Sequence, residues 1–205
     1  MTFLQNISFL LLSSFLISCG DNTTTSPIVD VASIRLDETN ISIYATQNVK
    51  ELSSTVTYTD NTTADVTKDT AWSGSDANVI LVANGAVIAS GNGGDANLTI
   101  DYASTFDDTT TVHVKKLESI NYSDINLSDS SNAQTIYVTG NFENNDTNVT
   151  MEANILWYVE SNATISEANA SQITLTLDAN ITSFILTGTL FINTDTAVDF
   201  NKTFQ

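Results

Sequence analysis

Hydrophobic and polar residues alternate along most of the chain from Val29 onward. An alternation of period two is typical of strands with one buried face, and no segment sustains the 3.6-residue period of an amphipathic helix. Asn84-Gly85 between two such segments predicts a tight hairpin turn. The pattern therefore predicts an all-β fold, with strands in the first part of the chain at 33–36, 41–44, 52–58, 78–82, 86–89, 96–100 and 110–114. About seven short strands in about 85 residues favour a β-sandwich of immunoglobulin type.

The first 18 residues follow a different pattern, an apolar run that ends in small residues. This run is shorter than the ~20 residues that a membrane-spanning helix needs, so it predicts a cleaved signal peptide over 1–18. Leu16-Ile17-Ser18-Cys19-Gly20 resembles the lipobox of bacterial lipoproteins, although no Lys or Arg precedes it. The resemblance implies cleavage before Cys19 and lipidation of its thiol. Gly20 at the second mature position is compatible with sorting to the outer membrane, so the expected location is the cell envelope.

Residues 19–28 are polar and contain the single proline of the chain, which predicts a flexible tether after the lipidated cysteine. The region 29–116 that follows resembles a group 2 bacterial Ig-like domain. The matching segments are 31–34, 55–60, 64–67, 71–73, the Asn84-Gly85 turn, the Gly91 region and 96–100. Trp72 is the expected core anchor, because a tryptophan can fill the space between two sheets that lack a disulfide.

The remaining region, 117–205, is interpreted as a second, degenerate Ig-like domain. Segments 134–142, 148–150 and 155–157 resemble the earlier strands, and Trp157 follows Trp72 by 85 residues as a second core anchor. Its later predicted strands, 173–177 and 184–192, are more apolar than those of the first domain. The short joint at 115–118 predicts two domains placed end to end with restricted bending.

Composition excludes several functions. A net charge of −18 leaves no basic surface for nucleic acid. The single Cys permits no internal disulfide, and alternation places the only histidine, His113, outward as a solvated side chain. No nucleophile has a plausible base, so no catalytic residue and no enzymatic activity is predicted. Acidic pairs such as Asp107-Asp108 and Asp124 with Asp129 are interpreted as solvated loop acids. A structural calcium ion at strand ends is the alternative, but no EF-hand ligand pattern is present and no metal ligand is assigned.

Two functions from different classes remain open. In the first, the Ig-like domains form a surface binding or adhesion module for a protein or glycan partner, as the resemblance implies. In the second, they form an envelope spacer without a specific ligand. An exposed aromatic patch containing Phe184, Phe191 or Phe200 would favour binding, whereas a uniformly polar surface would favour a spacer. The sequence assigns no oligomeric state.

The chain also contains 13 Asn-x-Ser/Thr sequons, of which nine carry Asp or Glu two residues before the asparagine. With 24 acids in 205 residues, composition predicts about 1.5 such cases, and strand alternation raises this to about 2.8. The extended pattern resembles the acceptor site of bacterial oligosaccharyltransferases; a polar, Asn-rich surface is the alternative reading. We expect occupancy at Asn145 or Asn148, in a loop, before Asn97, which together with Asn180 is expected in a strand. The nine candidates are Asn40, Asn97, Asn126, Asn145, Asn148, Asn162, Asn169, Asn180 and Asn201.

Overall fold

The computed structural model describes residues 29–205 except 48, 92, 131, 153–154 and 192–196. The predicted signal peptide, Cys19 and the tether lie outside the described residues. The fold is all-β, two tandem immunoglobulin-like sandwiches, and the only helical element among the described residues is the 3₁₀ turn Glu143–Asn145. The strands of the first domain are β1 Val31–Leu36, β2 Ile41–Tyr44, β3 Lys50–Glu51, β4 Ser54–Tyr58, β5 Thr63–Asp65, β6 Ala71–Gly74, β7 Ile80–Ala83, β8 Ala86–Ala89, β9 Gly94–Tyr102 and β10 Phe106–Lys115. Those of the second are β11 Leu117–Tyr122, β12 Gln134–Phe142, β13 Asp146–Thr150, β14 Ile155–Val159, β15 Ala163–Ala168, β16 Gln172–Leu177, β17 Phe184–Phe191 and β18 Ala197–Phe204.

The first domain packs three small sheets around one apolar core. Their strand orders are β1-β4-β5, β2-β10-β9-β6 and β3-β8-β7. Strand β2 pairs with β10 in parallel, and the other pairs are antiparallel. The core is made by the inward positions of the alternating strands, and Val56, Leu98, Ile100, Val112 and Val114 are completely buried. The alternation in the sequence thus dictates which face of each strand is buried.

The second domain repeats part of this topology, but β15 and β16 extend the sheet of β12 instead of forming a separate sheet, and no described strand pairs in parallel with β18. In both domains the first strand pairs with a strand that also pairs with a short one: β1-β4-β5 corresponds to β11-β12-β13. The order β6-β9-β10 corresponds to β14-β17-β18. Trp72 on β6 and Trp157 on β14 therefore lie on corresponding strands. The resemblance between the two halves of the sequence is matched by the order of strand pairing.

Strand assignments from the sequence are confirmed in most places and corrected in a few. The hairpin at Asn84-Gly85 joins β7 to β8, with φ of 46° and 85°, the left-handed values that such a turn requires. Among its described residues the first domain has ten strands rather than about seven, because β3, β5 and β6, of two to four residues, show no clear alternation. The strand predicted to start at Asn78 starts at Ile80, after a turn closed by Asp76. The last residue of predicted strand 184–192 lies outside the described residues.

Candidate functional site

The two domains meet in a compact junction with one intervening residue, Lys116, between β10 and β11. Lys115 at the end of β10 forms an ion pair with Asp146 at the start of β13. The Tyr44 hydroxyl donates to the same carboxylate over 3.2 Å, and the Lys115 ammonium lies 5.4 Å from the centre of the Tyr44 ring. Two residues of the first domain thus converge on one carboxylate of the second.

Apolar and main-chain contacts reinforce this junction. The ring of Phe142, which is buried, lies 4.7 Å from the ring of Tyr44 between centroids. The Glu143 amide donates to the Lys116 carbonyl over 3.0 Å, and the Glu152 amide donates to the Thr46 carbonyl over 3.2 Å. These contacts join the two domains on both sides of the short joint.

His113 links the same two domains through its two ring nitrogens. Its Nδ1 lies 2.5 Å from a carboxylate oxygen of Asp95, directly opposite on β9, and its Nε2 contacts Oε1 of Glu143 in the second domain. Glu143 Oε1 is buried and, among the described residues, has no hydrogen-bond partner beyond this contact. His113 faces outward between completely buried Val112 and Val114, as alternation predicts. It is not freely solvated, however, because Asp95 of the same domain and Glu143 of the second domain contact its ring.

The electrostatics of the junction favour its charged groups. Hydrogen bonding to Asp95, and secondarily to Glu143, raises the pKa of His113 above its ordinary value. The Lys115 ammonium lowers the pKa of Asp146, and Asp146 raises the pKa of Lys115. Burial and the hydrogen bond to Asp146 raise the pKa of Tyr44. An imidazolium at His113 can donate to both carboxylates, whereas a neutral imidazole can donate to only one.

A second feature is an apolar strip on the outer face of the sheet β14-β17-β18. Leu156 and Tyr158, on edge strand β14, are 63% and 60% exposed. Their register partners on β17 are Thr189 and Thr187, so Phe191, which is 48% exposed, lies diagonally next to Leu156 on the same face. Half-buried Ile185 is the corresponding neighbour of Tyr158. We call Leu156, Tyr158, Ile185 and Phe191 the β14 strip.

The three phenylalanines that the sequence suggests for an exposed patch lie in three different environments. Phe184 is buried, and its ring stacks on Phe204 at 4.9 Å. Phe200 is half-buried against the core. Phe191 alone of the three is exposed, while Leu156 and Tyr158 were missed. The run Ile155-Leu156-Trp157-Tyr158-Val159 is apolar at every position, so alternation could not show which residues face outward.

The two tryptophans differ in burial although their strands correspond. Trp157 is 7% exposed and lies opposite Gly188, where a Cβ atom would come within 2.3 Å of the Trp157 ring. Trp72 lies opposite Ile100 and is only half-buried against the core. Each indole N–H donates to a main-chain carbonyl, of Thr67 at 2.9 Å and of Asn169 at 2.8 Å. The missing side chain at Gly188 thus makes room for the deeper tryptophan.

All nine candidate glycosylation asparagines are exposed. Five of them have positive φ, a conformation that asparagine tolerates better than most residues: Asn40, Asn145, Asn148, Asn162 and Asn180. Asn97 lies in β9 as expected, but Asn180 lies in the turn after β16 rather than in a strand. Asn145 ends the 3₁₀ turn, whereas Asn148 lies in strand β13 and not in the expected loop.

Asp107 and Asp108 lie in strand β10 rather than in a loop as expected, and one member of each acidic pair is hydrogen-bonded within the fold. Asp108 accepts a hydrogen bond from the Leu36 amide over 2.8 Å, and Asp129 contacts the Asn132 side-chain amide at 3.3 Å. Within the part of the chain that the structure describes, no group of three or more His, Cys, Asp or Glu is placed to hold a metal ion. The same residues include no helix long and apolar enough to cross a membrane.

No protein-family model and no curated protein matches the chain. Among solved structures, domains 4–9 of surface layer protein SbsC align with 84% of the chain and 31% of their own length, at 16% identity and a TM-score of 0.39. Protocadherin gamma B7 domains 1–4 align at 8% identity, with coverage of 85% and 50% and a TM-score of 0.33. The Yersinia pseudotuberculosis adhesin InvE aligns at 13% identity, with coverage of 86% and 60% and a TM-score of 0.30. The chain spans less than two thirds of each, and likenesses this distant carry no argument about function.

Proposed function

We propose that this chain is a lipid-anchored cell-envelope protein whose two Ig-like domains bind a surface protein or glycan through the β14 strip. The observation that carries the proposal is the exposure of Leu156 and Tyr158 side by side on an edge strand. Most of the remaining surface of this sheet is polar, with Thr187, Thr189 and Asp199 at outward positions. An apolar strip with a polar rim is typical of a binding surface.

The anchoring part of the proposal rests on the sequence around Cys19. Acyl chains on this thiol would supply membrane affinity of roughly 0.8 kcal/mol per buried methylene. We expect labelled fatty acid to enter the wild-type protein and not the Cys19→Ser variant. A wild-type protein that fractionates as soluble, with an intact Met1 or cleavage at another residue, would contradict the anchor. The assignment of 29–116 to the group 2 bacterial Ig-like family is part of the same proposal and is supported by the segments quoted above.

The binding part is tested with a matched pair of variants on the lipid-free ectodomain, residues 20–205. Leu156→Ser/Tyr158→Ser removes the centre of the β14 strip. Tyr137→Ser removes an equally exposed tyrosine, 61% exposed, from β12 in the other sheet. The assay measures retention of the ectodomain on intact neighbouring cells and pull-down of envelope extracts. We expect the double variant to lose retention and the Tyr137→Ser variant to keep it.

A spacer without a ligand is the second candidate, and the junction favours it specifically. Contacts of Lys115, His113 and Tyr44 with the second domain hold the sandwiches in a fixed relation, which suits a protein that sets a distance from the membrane. Equal retention of wild-type and double-variant ectodomain would favour the spacer over binding through the β14 strip.

A further inference from the structure

The nine acidic sequons form two groups, according to whether the acid is bound to another residue within the fold. At five sites the acid is engaged within the fold. Glu38 pairs with Lys50, Asp95 and Glu143 with His113, and Asp146 with Lys115, while Asp199 accepts from the Thr189 hydroxyl. These acids precede Asn40, Asn97, Asn145, Asn148 and Asn201. Folding therefore accounts for an acidic residue at each of these five positions.

At the other four sites the acid has no such role. Asp124, Glu160, Glu167 and Asp178 are exposed, and within the described part of the chain none of their carboxylates accepts a hydrogen bond or forms an ion pair. They precede Asn126, Asn162, Asn169 and Asn180. In a chain of net charge −18, further unpaired carboxylates add self-repulsion to the folded state. Local folding therefore does not explain these four acids.

Three of the four sites lie at one end of the second domain. The Phe142 end of β12 contacts the first domain, so Gln134 marks the remote end of that strand. Asn126 is tied to Gln134 by hydrogen bonds of 2.8 and 2.6 Å. β16 pairs with β12 so that Leu175 lies opposite Gln134. The turn that follows β16, which contains Asn180, therefore lies at this same end of the domain.

The turn that holds Asn162 also belongs to this end. The Asp178 amide donates to the Asn162 carbonyl over 2.9 Å, and the Asn162 side-chain amide donates to the Ser183 carbonyl over 3.2 Å. We call Asn126, Asn162 and Asn180 the tip sites. The fourth site, Asn169, follows β15 away from the tip.

We propose that the four sites with unpaired acids, and above all the tip sites, are acceptors for an acid-dependent bacterial oligosaccharyltransferase. The co-substrate is a polyprenyl-diphosphate-linked oligosaccharide. The asparagine Nδ2 forms a bond to C1 of the first sugar, the bond between C1 and the diphosphate oxygen breaks, polyprenyl diphosphate leaves, and one amide proton passes to solvent. The unpaired carboxylate two residues before the asparagine is available to bind a cationic side chain of the enzyme. The engaged acids at the other five sites are already bound within the fold.

The local geometry orders the sites. No side-chain hydrogen bond involves Asn180 within the described residues, so its amide is the most available, and Asp178, Asn180 and Thr182 are all exposed. At Asn126 the Oδ1 accepts from the amide and the hydroxyl of Ser128, at 3.0 and 2.7 Å, which leaves Nδ2 open. Asn162 Nδ2 already donates to Ser183 and reacts more slowly. The earlier ranking of Asn145 or Asn148 first loses its basis, because His113 and Lys115 hold the acids of those two sites.

The chain supplies its own control at Asn61. Asn61 is exposed, and its φ of 66° matches the 65° of Asn162. Thr63 completes its sequon two residues later, but the residue two positions before it is Thr59 instead of an acid. The full chain, purified and folded, is incubated with a purified acid-dependent oligosaccharyltransferase and a defined polyprenyl-diphosphate oligosaccharide. Glycopeptide mass spectrometry then measures occupancy at every sequon.

We expect glycan at Asn180 and Asn126 first, then Asn162 and Asn169, and none at Asn61. Asp178→Asn should reduce the glycan occupancy of Asn180, and Glu160→Gln that of Asn162, to the level of Asn61. Conversely, Thr59→Asp should make Asn61 an acceptor. Bare tip sites beside a modified acceptor peptide in the same reaction would overturn the proposal. Equal occupancy at Asn61 and Asn180, or at the engaged and unpaired sites, would overturn it too. The assay needs neither export nor the β14 strip, so its failure would leave the proposed function standing.

Discussion

Glu143 in the second domain contacts His113 in the first, the only histidine of the chain. The imidazole of His113 thereby bridges the carboxylates of Asp95 and Glu143. Glu143 is 30 residues from His113 in the sequence, and Asp95 is 18 residues away on the other side. The protonation state of a single side chain therefore affects the attachment of one domain to the other.

The first prediction concerns pH. The folded-state pKa of His113 is raised, so its contribution to stability is complete below the ordinary value of about 6.5 and is lost as the pH rises through the raised value. Lys115, Asp146 and Tyr44, which face the same junction, keep their charge states across this window, because the pKa of Asp146 is lowered and those of Lys115 and Tyr44 are raised. We expect the melting temperature of the wild type to fall as the pH rises from about 6.5 through the raised pKa of His113.

The control for this prediction is His113→Gln, which retains a hydrogen-bond donor but does not titrate. Its melting temperature should lack the decline over the same range. Residual dipolar couplings of the two domains, measured at both ends of the range, report whether their relative orientation loosens as the histidine loses its proton. A variant with an unchanged pH slope would show that another group is responsible.

Phe142→Ala is expected to weaken both the second domain and the junction. The side chain is 1% exposed and packs against Tyr44 of the first domain, so its removal should cost about 3–5 kcal/mol in the free energy of unfolding. Phe191→Ala is the control, because a side chain that is 48% exposed contributes little to the core. Urea unfolding monitored by circular dichroism measures both. Similar losses for the two variants would mean that Phe142 is not a core residue.

The two tryptophans should differ in their effect on stability. Trp157→Ala is expected to cost about 3–5 kcal/mol, as for a buried aromatic residue. Trp72→Ala should cost less, about 1–3 kcal/mol, because half-buried Trp72 loses less apolar contact. Circular dichroism melts of each variant provide the comparison. A Trp72→Ala loss as large as that of Trp157→Ala would contradict the difference in burial.

Tyr122→Phe is expected to leave stability unchanged or increase it by about 1 kcal/mol. The Tyr122 hydroxyl is buried without a hydrogen-bond partner among the described residues, and such a group costs free energy in the folded state. Burial raises the pKa of Tyr122 to about 12, so stability falls as the pH rises from about 10, where the unfolded tyrosine ionises first. The variant should lose this part of the alkaline decline, as measured by urea unfolding near neutral pH and above about pH 10. Destabilisation at neutral pH would indicate that the hydroxyl has a partner.

Much of the fold follows from the alternation of residues, because burial of one face is what a half-buried strand requires. Strand β12 matches the prediction at both ends, and the Asn84-Gly85 turn follows from the left-handed conformations that those two residues accept. Alternation predicts a strand wrongly where a turn also alternates, as around Asn180. It cannot show which residues face outward where every residue is apolar, as in β14. These failures occur at the surface features on which the proposals rest.

The junction could not be predicted because its contacts join residues that no local pattern relates. Lys115 and Asp146 are charged residues of ordinary appearance in the sequence, and only the docking of two domains makes them partners. The short joint at 115–118 predicts restricted bending but does not show which side chains meet across the junction. The acidic sequons were visible in the sequence, whereas their division into engaged and unpaired acids required the structure.

The parallel pairing of β2 with β10 has a mechanical consequence. β10 leads directly into the second domain, and β2 lies near the end of the chain where the membrane anchor is proposed. A pull between the membrane and the second domain would draw these strands past each other, once β1 detaches, because parallel neighbours held at opposite ends are loaded in shear. The hydrogen bonds along Ile41–Tyr44 and Val112–Lys115 would then bear the load together instead of opening one by one. A ladder of four residue pairs would thus resist traction on the cell surface.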